Sequence, residues 1–242
     1  PALARGLHAR LREVSGDPDP YRWIKQQGNL AMLARRHELR ARIAAARDPF
    51  AAALRLAVAG NVIDFGAQHL IDIDDTVARV LDAPFAIDHA AELREALARS
   101  RSVLYVGDNA GEIVLDALFL ETVAHDDVTY LVRGAPVLND ATREDALLAG
   151  IDRLARVATT GDDSPGLTPS RASGEVRALL AAADLVIAKG QGNLEGLWDL
   201  PREVVFLLTV KCERIAGLVG VPVGEFVAWR REAPAPSAGG AP

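Results

Sequence analysis

Hydrophobic positions change their period once along the chain, near residue 100. Before that point they recur at helical spacing: Leu3, Leu7, Leu11 and Val14, then Ile24, Leu30, Leu33, Leu39 and Ile43, then Phe50, Leu54 and Val58. Gly16, Asp17, Pro18 and Pro20 break the first run from the second. Gly28-Asn29 reads as an interruption of the long run over 23–47. Asp48-Pro49 reads as an N-cap followed by a first-turn proline, and Gly60 as that helix's end. A further helix is predicted over 90–98. Strand alternation is absent, so 1–99 is predicted to be a helical region.

From Arg101 short apolar runs alternate with helical ones. Strands are predicted over 103–106, 128–132, 154–158, 185–188 and 204–210, and helices over 112–123, 142–149, 175–182 and 212–219. This alternation argues for an α/β domain over 100–232, with a mostly parallel sheet and helices on both faces. A polar loop rich in Gly, Pro, Ser and Thr covers 161–173, and a short closing strand is expected over 225–229. The Pro/Ala/Gly stretch 233–242 is expected to be disordered.

Composition narrows the partners. Half of the residues are hydrophobic and the net charge is −6, with Lys and Arg scattered. No basic patch interleaved with aromatics offers a nucleic-acid surface, and no apolar run has the length of a membrane span. No signal peptide is visible at Pro1, although the chain has no initiator Met. Cys212 is the single cysteine, which leaves no disulfide framework or cysteine-based zinc site and fits a reducing, cytoplasmic setting. Nothing in the sequence fixes an oligomeric state.

Candidate chemistry gathers where predicted strands end. Asp108, Asn109 and Glu112 lie between the strand over 103–106 and the next helix. Helix amides favour anions there, yet the side chains are carboxylates and an amide. A hard divalent cation, Mg²⁺ or Mn²⁺ with Co²⁺ or Ni²⁺ as further candidates, would reconcile the two, and would itself attract phosphate. The same residues also suit a helix cap. Asp140, in PVLNDAT after the strand over 128–132, can likewise cap a helix or supply a second carboxylate. If the two strands are neighbours, about 4.8 Å apart, Asp108 and Asp140 can converge on one cation.

Lys189-Gly190-Gln191-Gly192-Asn193 follows the strand over 185–188 and reads as a ligand loop or a plain turn, where glycines permit close backbone approach and Lys189 or its amides can hold phosphate. A dinucleotide fingerprint is not completed, because Glu195 stands where its third glycine belongs. Lys211 follows the strand over 204–210 and can neutralise a phosphoryl oxygen or simply end the strand. Asp72-Ile73-Asp74-Asp75-Thr76 fits the DxDxT nucleophile loop of haloacid-dehalogenase phosphatases, but only Leu70-Ile71 precede it where a full strand is needed. The five histidines lack paired-ligand spacing, and there is no GxSxG elbow.

In order, GDNAGEIVLD, PVLNDATREDA, KGQGNLEGL and TVKCERIAGLVG resemble the damage-control phosphatase family, also called domain of unknown function 89, and AGNVIDFG over 59–66 is similar to its prokaryotic branch. The resemblance covers about 50–220. It implies a helical N-terminal region packed on a three-layer α/β/α domain, and a metal-dependent phosphatase of small phosphorylated metabolites such as sugar phosphates or phosphopantetheine derivatives. By motif it implies Asp108, Asn109 and Asp140 as metal ligands and Lys211 on the phosphate. Asn61, Asp64, Glu112, Lys189, Gly190, Gln191, Gly192 and Asn193 are then expected on the substrate side. The paired cysteines found near the N-terminus of many prokaryotic relatives have no counterpart here. A non-catalytic nucleotide or metabolite sensor in the same crevice is the alternative, with a methyltransferase third.

Asp72 and Asp108 separate two phosphatase chemistries. Asp72→Ala is expected to leave turnover of an aryl phosphate largely intact, and Asp108→Ala to abolish it. The opposite result would support the dehalogenase-type loop.

Overall fold

The structure, a computed structural model, describes residues 2–60 and 73–233. Asn61, Asp64 and Asp72, and the stretch expected to be disordered from 234 onward, lie outside the described residues. Chain order is α1 (Ala2–Ser15), α2 (Arg22–Ala45), α3 (Pro49–Ala59), α4 (Ile73–Asp82), β1 (Ile87–Asp88), α5 (Ala90–Arg99), β2 (Val103–Val106), α6 (Glu112–Val123), β3 (Val128–Val132) and α7 (Arg143–Ala149). A 3₁₀ turn at Ile151–Arg153 follows, then β4 (Arg156–Thr159), α8 (Gly174–Ala182), β5 (Leu185–Lys189), α9 (Gly190–Gly196), β6 (Val204–Thr209), α10 (Glu213–Val219) and β7 (Phe226–Arg231).

The strands form one sheet in the order β1-β7-β6-β5-β2-β3-β4. Every pairing is parallel except β6 with β7. Each central strand is buried on both faces, which is why it reads as an uninterrupted apolar run. Period-two alternation sorts those runs between two cores. Val103, Tyr105, Val128, Tyr130, Ile187 and Leu207 face a layer that includes α2, α3, α5 and α6, and this core draws residues from both the helical segment and the sheet. Leu104, Val106, Leu131, Val186, Ala188 and Phe206 face α8, α9 and α10. The architecture is therefore α/β/α. Helix α6 is buried on all sides from Glu112 to Leu120, because α2 and α3 cover the side turned away from the sheet.

Four local expectations are corrected. Ile87–Asp88 forms a short strand, parallel to β7, within the stretch predicted to be helical; two residues are too few to show a period. Gly28-Asn29 does not interrupt α2, since both are buried inside one continuous helix. The fourth strand begins at Arg156, because the 3₁₀ turn takes up the residues before it. The glycine-rich stretch after β5 is a short helix, α9, rather than a loop. Asp48 does cap α3, accepting from the Ala51 amide at 3.1 Å with Pro49 in the first turn.

Helix α1 forms as its spacing predicts, but Leu3, Leu7, Leu11 and Val14 point to solvent. Its inward side is charged: Arg12 donates to Asp163 at 2.7 Å and to the Pro136 carbonyl at 2.6 Å, and Arg5 pairs with Asp163. The loop that receives it is held in turn by Asp162, which accepts from Arg171 at 2.9 Å and Ser164 at 2.6 Å. Burial works against the Asp162 charge, but Arg171 and Ser164 outweigh it and hold its pKa at about 2. A carboxyl depressed below its ordinary 3.8 stabilises the fold above that pH and loses the contribution as pH falls toward 2. Asp162→Asn is therefore expected to cost about 1–2 kcal/mol at neutral pH, after discounting for the half-exposed Arg171, and only a small fraction of that near pH 2. Urea denaturation at the two pH values measures the difference.

Candidate active site

Strand β2 lies where the chain changes direction across the sheet. From β2 it runs outward through β3 and β4, then returns to the other side of β2 as β5. A crevice opens at the carboxyl ends of strands at such a switch point. Gly107 ends β2 tightly against β3, where any Cβ would overlap the Tyr130 hydroxyl. The loop from Asp108 to Gly111 then pairs with the loop carrying Asp140. The Ala141 amide donates to the Asp108 carbonyl at 2.7 Å, the Ala110 amide donates to the Asn139 carbonyl at 2.9 Å, and Asn109 and Asp140 form an antiparallel bridge. Two backbone bonds thus place the two aspartates side by side.

Both carboxylates are largely buried, with 9% of Asp108 and 4% of Asp140 exposed. Burial, then Asp140, then Glu112 push the Asp108 carboxyl well above the ordinary range. Burial likewise raises Asp140, opposed chiefly by Arg133. Arg133 is fully buried between them: its Nε donates to Asp140 at 2.5 Å and its Nη2 lies 3.5 Å from Asp108, while Nη1 has no hydrogen-bond partner among the described residues. The Asn109 amide nitrogen donates to Asp108 at 3.0 Å and to Glu112 at 3.3 Å. That orientation makes the amide oxygen the atom of Asn109 suited to a cation. Gly190, with φ +77°, seats the start of α9 directly on the Asp108 carboxylate, and a Cβ there would overlap it. Among the described residues no three His, Cys, Asp or Glu side chains group around one metal position. The candidate donor set is two carboxylates and one amide, all hard oxygens.

These residues border a cavity of about 290 Å³, whose lining includes Asp108, Asn109, Asp140, Gln191, Gly192 and Lys211, with Glu195 and, from α1, Ala4. Gln191 accepts the Lys211 amide at 2.7 Å, which ties the α9 side of the cavity to the end of β6. A larger cleft of about 600 Å³, beside Phe50 and His125, opens at the opposite, amino ends of the strands. Its Arg94 and Arg101 are already paired with Asp48 and Asp184.

In place of the substrate-side role expected of Lys189 and Glu112, the structure gives them an internal one. The Lys189 ammonium is fully buried, paired with Glu112, 2.7 Å from Asp116 and 2.7 Å from the Ala57 carbonyl. Burial works against that charge, but Asp116 and Glu112 outweigh it and hold Lys189 protonated. Asp116 also accepts from Tyr105 at 2.8 Å and Tyr130 at 2.7 Å. Asn193 is an internal brace too: its amide nitrogen donates to the Gly107 and Lys189 carbonyls, and its oxygen accepts from the Leu167 amide. Arg133 and Asp116 escaped the sequence reading, although a charged residue following one buried strand and a carboxylate within an apolar helix were both visible.

A family model, the damage-control phosphatase ARMT1-like domain, matches residues 1–227. The chain belongs to the damage-control phosphatase ARMT1-like family. An uncharacterized protein of Methanocaldococcus jannaschii is 35% identical over 93% of this chain and 78% of its own length. A damage-control phosphatase of Archaeoglobus fulgidus is 35% identical over 93% and 81%. The crystal structure of a DUF89 family protein from Pyrococcus horikoshii superposes with a TM-score of 0.83 at 33% identity, covering 92% of this chain and 79% of that one. The fold is thus that of the ARMT1-like family, and the relatives' names support a phosphatase role.

Lys189→Met tests the internal role in this ARMT1-like chain. It leaves Glu112 and Asp116 buried together without a counter-charge. A stability loss of about 3–5 kcal/mol in urea denaturation is expected. An unchanged unfolding midpoint with a raised KM would return Lys189 to the substrate.

Proposed function

We propose that this protein is a divalent-cation-dependent phosphomonoesterase acting on a small phosphorylated metabolite, a sugar phosphate or a phosphopantetheine-like monoester. The observation that carries this reading is the pair of buried carboxylates, Asp108 and Asp140, bridged side by side at a cavity lined by hard oxygen donors. Asp108, Asn109 and Asp140 would hold the cation, with Mg²⁺ or Mn²⁺ suiting the donors and Co²⁺ or Ni²⁺ also able to occupy them. When bound, the cation would polarise the phosphoryl group and neutralise developing charge.

The remaining work falls to this chain's own groups. Arg133 offsets part of the carboxylate repulsion from behind and fixes the Asp140 rotamer through its Nε hydrogen bond. Gly190 removes the steric barrier to packing α9 on Asp108. Lys211, exposed at the cavity rim, offers a point charge to a phosphoryl oxygen without demanding bidentate geometry. The two carboxylates, Arg133 and a divalent cation would sum to one positive charge, so a phosphate dianion still calls for a second, which Lys211 can supply.

Hydrolysis of an aryl phosphate should require added Mg²⁺ or Mn²⁺ and stop with EDTA. Asp108→Ala should remove it. Lys211→Ala should retain fold and cation binding but lose about 10²-fold in kcat/KM, the scale of one lost electrostatic contact to the transition state. Lys211→Arg should recover only part. Full activity in folded Asp108→Ala would overturn the reading, and binding of phosphorylated metabolites without turnover would support a sensor instead.

A further inference from the structure

Asn29 lies on α2, outside both loops that carry the aspartates, yet it is bonded to the first loop and to the helix that the second loop feeds. It is fully buried. Its Oδ1 accepts from the Gly111 amide at 2.6 Å, and its Nδ2 donates to Asp145 Oδ1 at 2.8 Å. Gly111 closes the loop that begins at Asp108. Asp145 belongs to the first turn of α7, which the Asp140 loop feeds, and its second oxygen accepts the Thr142 amide at 2.8 Å and hydroxyl at 2.7 Å in a capping box. One turn earlier on α2, Lys25 is buried against Asp19 at 2.8 Å and Asp145 at 3.7 Å, which offsets part of the Asp145 charge.

Gly111 has φ +78° and precedes α6 without a side-chain cap. Asn29 supplies the partner that its amide requires. The backbone bridge between the two loops fixes their separation at one point. The Asn29 amide group ties the Asp108 loop to α7 at a second point, and two points constrain the tilt as well as the distance.

We infer that Asn29 is a positioning residue: its carboxamide ties the Asp108 loop to the helix that the Asp140 loop feeds and sets the geometry with which the two carboxylates meet a divalent cation. The inference rests on the cation-dependent reading above. Groups hydrogen-bonded directly to metal ligands typically change metal affinity by about 10–100-fold, and Asn29 acts one step further out through the loop backbone, so the lower end of that range is expected.

The test is a Mn²⁺ titration of chelator-stripped protein followed by electron paramagnetic resonance, with hydrogen exchange of the Gly111 amide measured alongside. Asn29→Asp sets two carboxylates against each other, and should weaken Mn²⁺ binding about 10-fold or more and deprotect Gly111. Adding Asp145→Asn to that variant returns a donor to the pair, and should restore both readouts to within about 3-fold. Asn29→Ala removes both bonds without adding charge and serves if Asn29→Asp does not fold. Met32→Ala, a core truncation on the same helix, should lower stability with Mn²⁺ affinity unchanged. Wild-type affinity in folded Asn29 variants, or an equal loss in Met32→Ala, would overturn the positioning role. Equal Mn²⁺ affinity in wild type and Asp108→Ala would instead overturn the cation reading, and the effect on cation geometry with it. The Gly111 exchange and its rescue would then judge the loop tie by itself.

Discussion

Four buried carboxylates, Asp108, Asp140, Glu112 and Asp116, stand close together at the carboxyl edge of the sheet, and their mutual repulsion is the constraint around which the structure is arranged. Among the described residues, Lys189 and Arg133 supply two opposing charges at this edge. Each cation faces two carboxylates, but the inner pair on α6 is further relieved by the Tyr105 and Tyr130 hydroxyls, which donate to Asp116, while the outer pair lines the cavity. The residual charge of the outer pair therefore lies where a ligand can reach it. A buried ion pair is weak evidence for stability in itself, but removing one member is severe because the other is left dry. The arrangement makes the inner charges structural and keeps the outer ones responsive.

Geometry follows from backbone before side chains. The switch in strand order opens the crevice, the absence of a Cβ at Gly107 and Gly190 lets β3 and α9 close on the Asp108 loop, and the paired loops align the two aspartates. Side-chain braces then come from a distance: Asn193 from α9, Asn29 and Lys25 from α2. The helical N-terminal segment thus contributes to the site through packing and hydrogen bonds as well as by covering one face of the sheet.

Much of the fold was legible because buried parallel strands announce themselves. The runs at 103–106 and 128–132 match β2 and β3 at both ends, and α6 was bounded as observed. Short elements escaped: β1 has two residues, too few for a period, and α9 contains glycines that favour a loop in isolation but are fixed here by Asn193 and the close approach to Asp108. The apolar stripe of α1 shows that periodicity predicts a helix without predicting which side is covered. At the site, motif order brought Asp108, Asn109, Asp140, Gln191 and Lys211 to one cavity. It could not show that Lys189 turns inward, since the direction of a side chain at a strand end depends on the helices beneath, and Glu112 and Asp116 become its partners only in three dimensions.

The position of Lys189 has a consequence for how the chain is made. Synthesis proceeds from the N-terminus, and domains generally fold as units in that direction. Here the two acids on α6 emerge long before the lysine at the end of β5 that answers them. Without that lysine, α6 in its native place would bury two like charges or take up protons to neutralise them. The inner carboxylates gain their counter-charge through the pairing of β5 with β2, so the docking of one strand completes both the centre of the sheet and the charge network beneath the cavity.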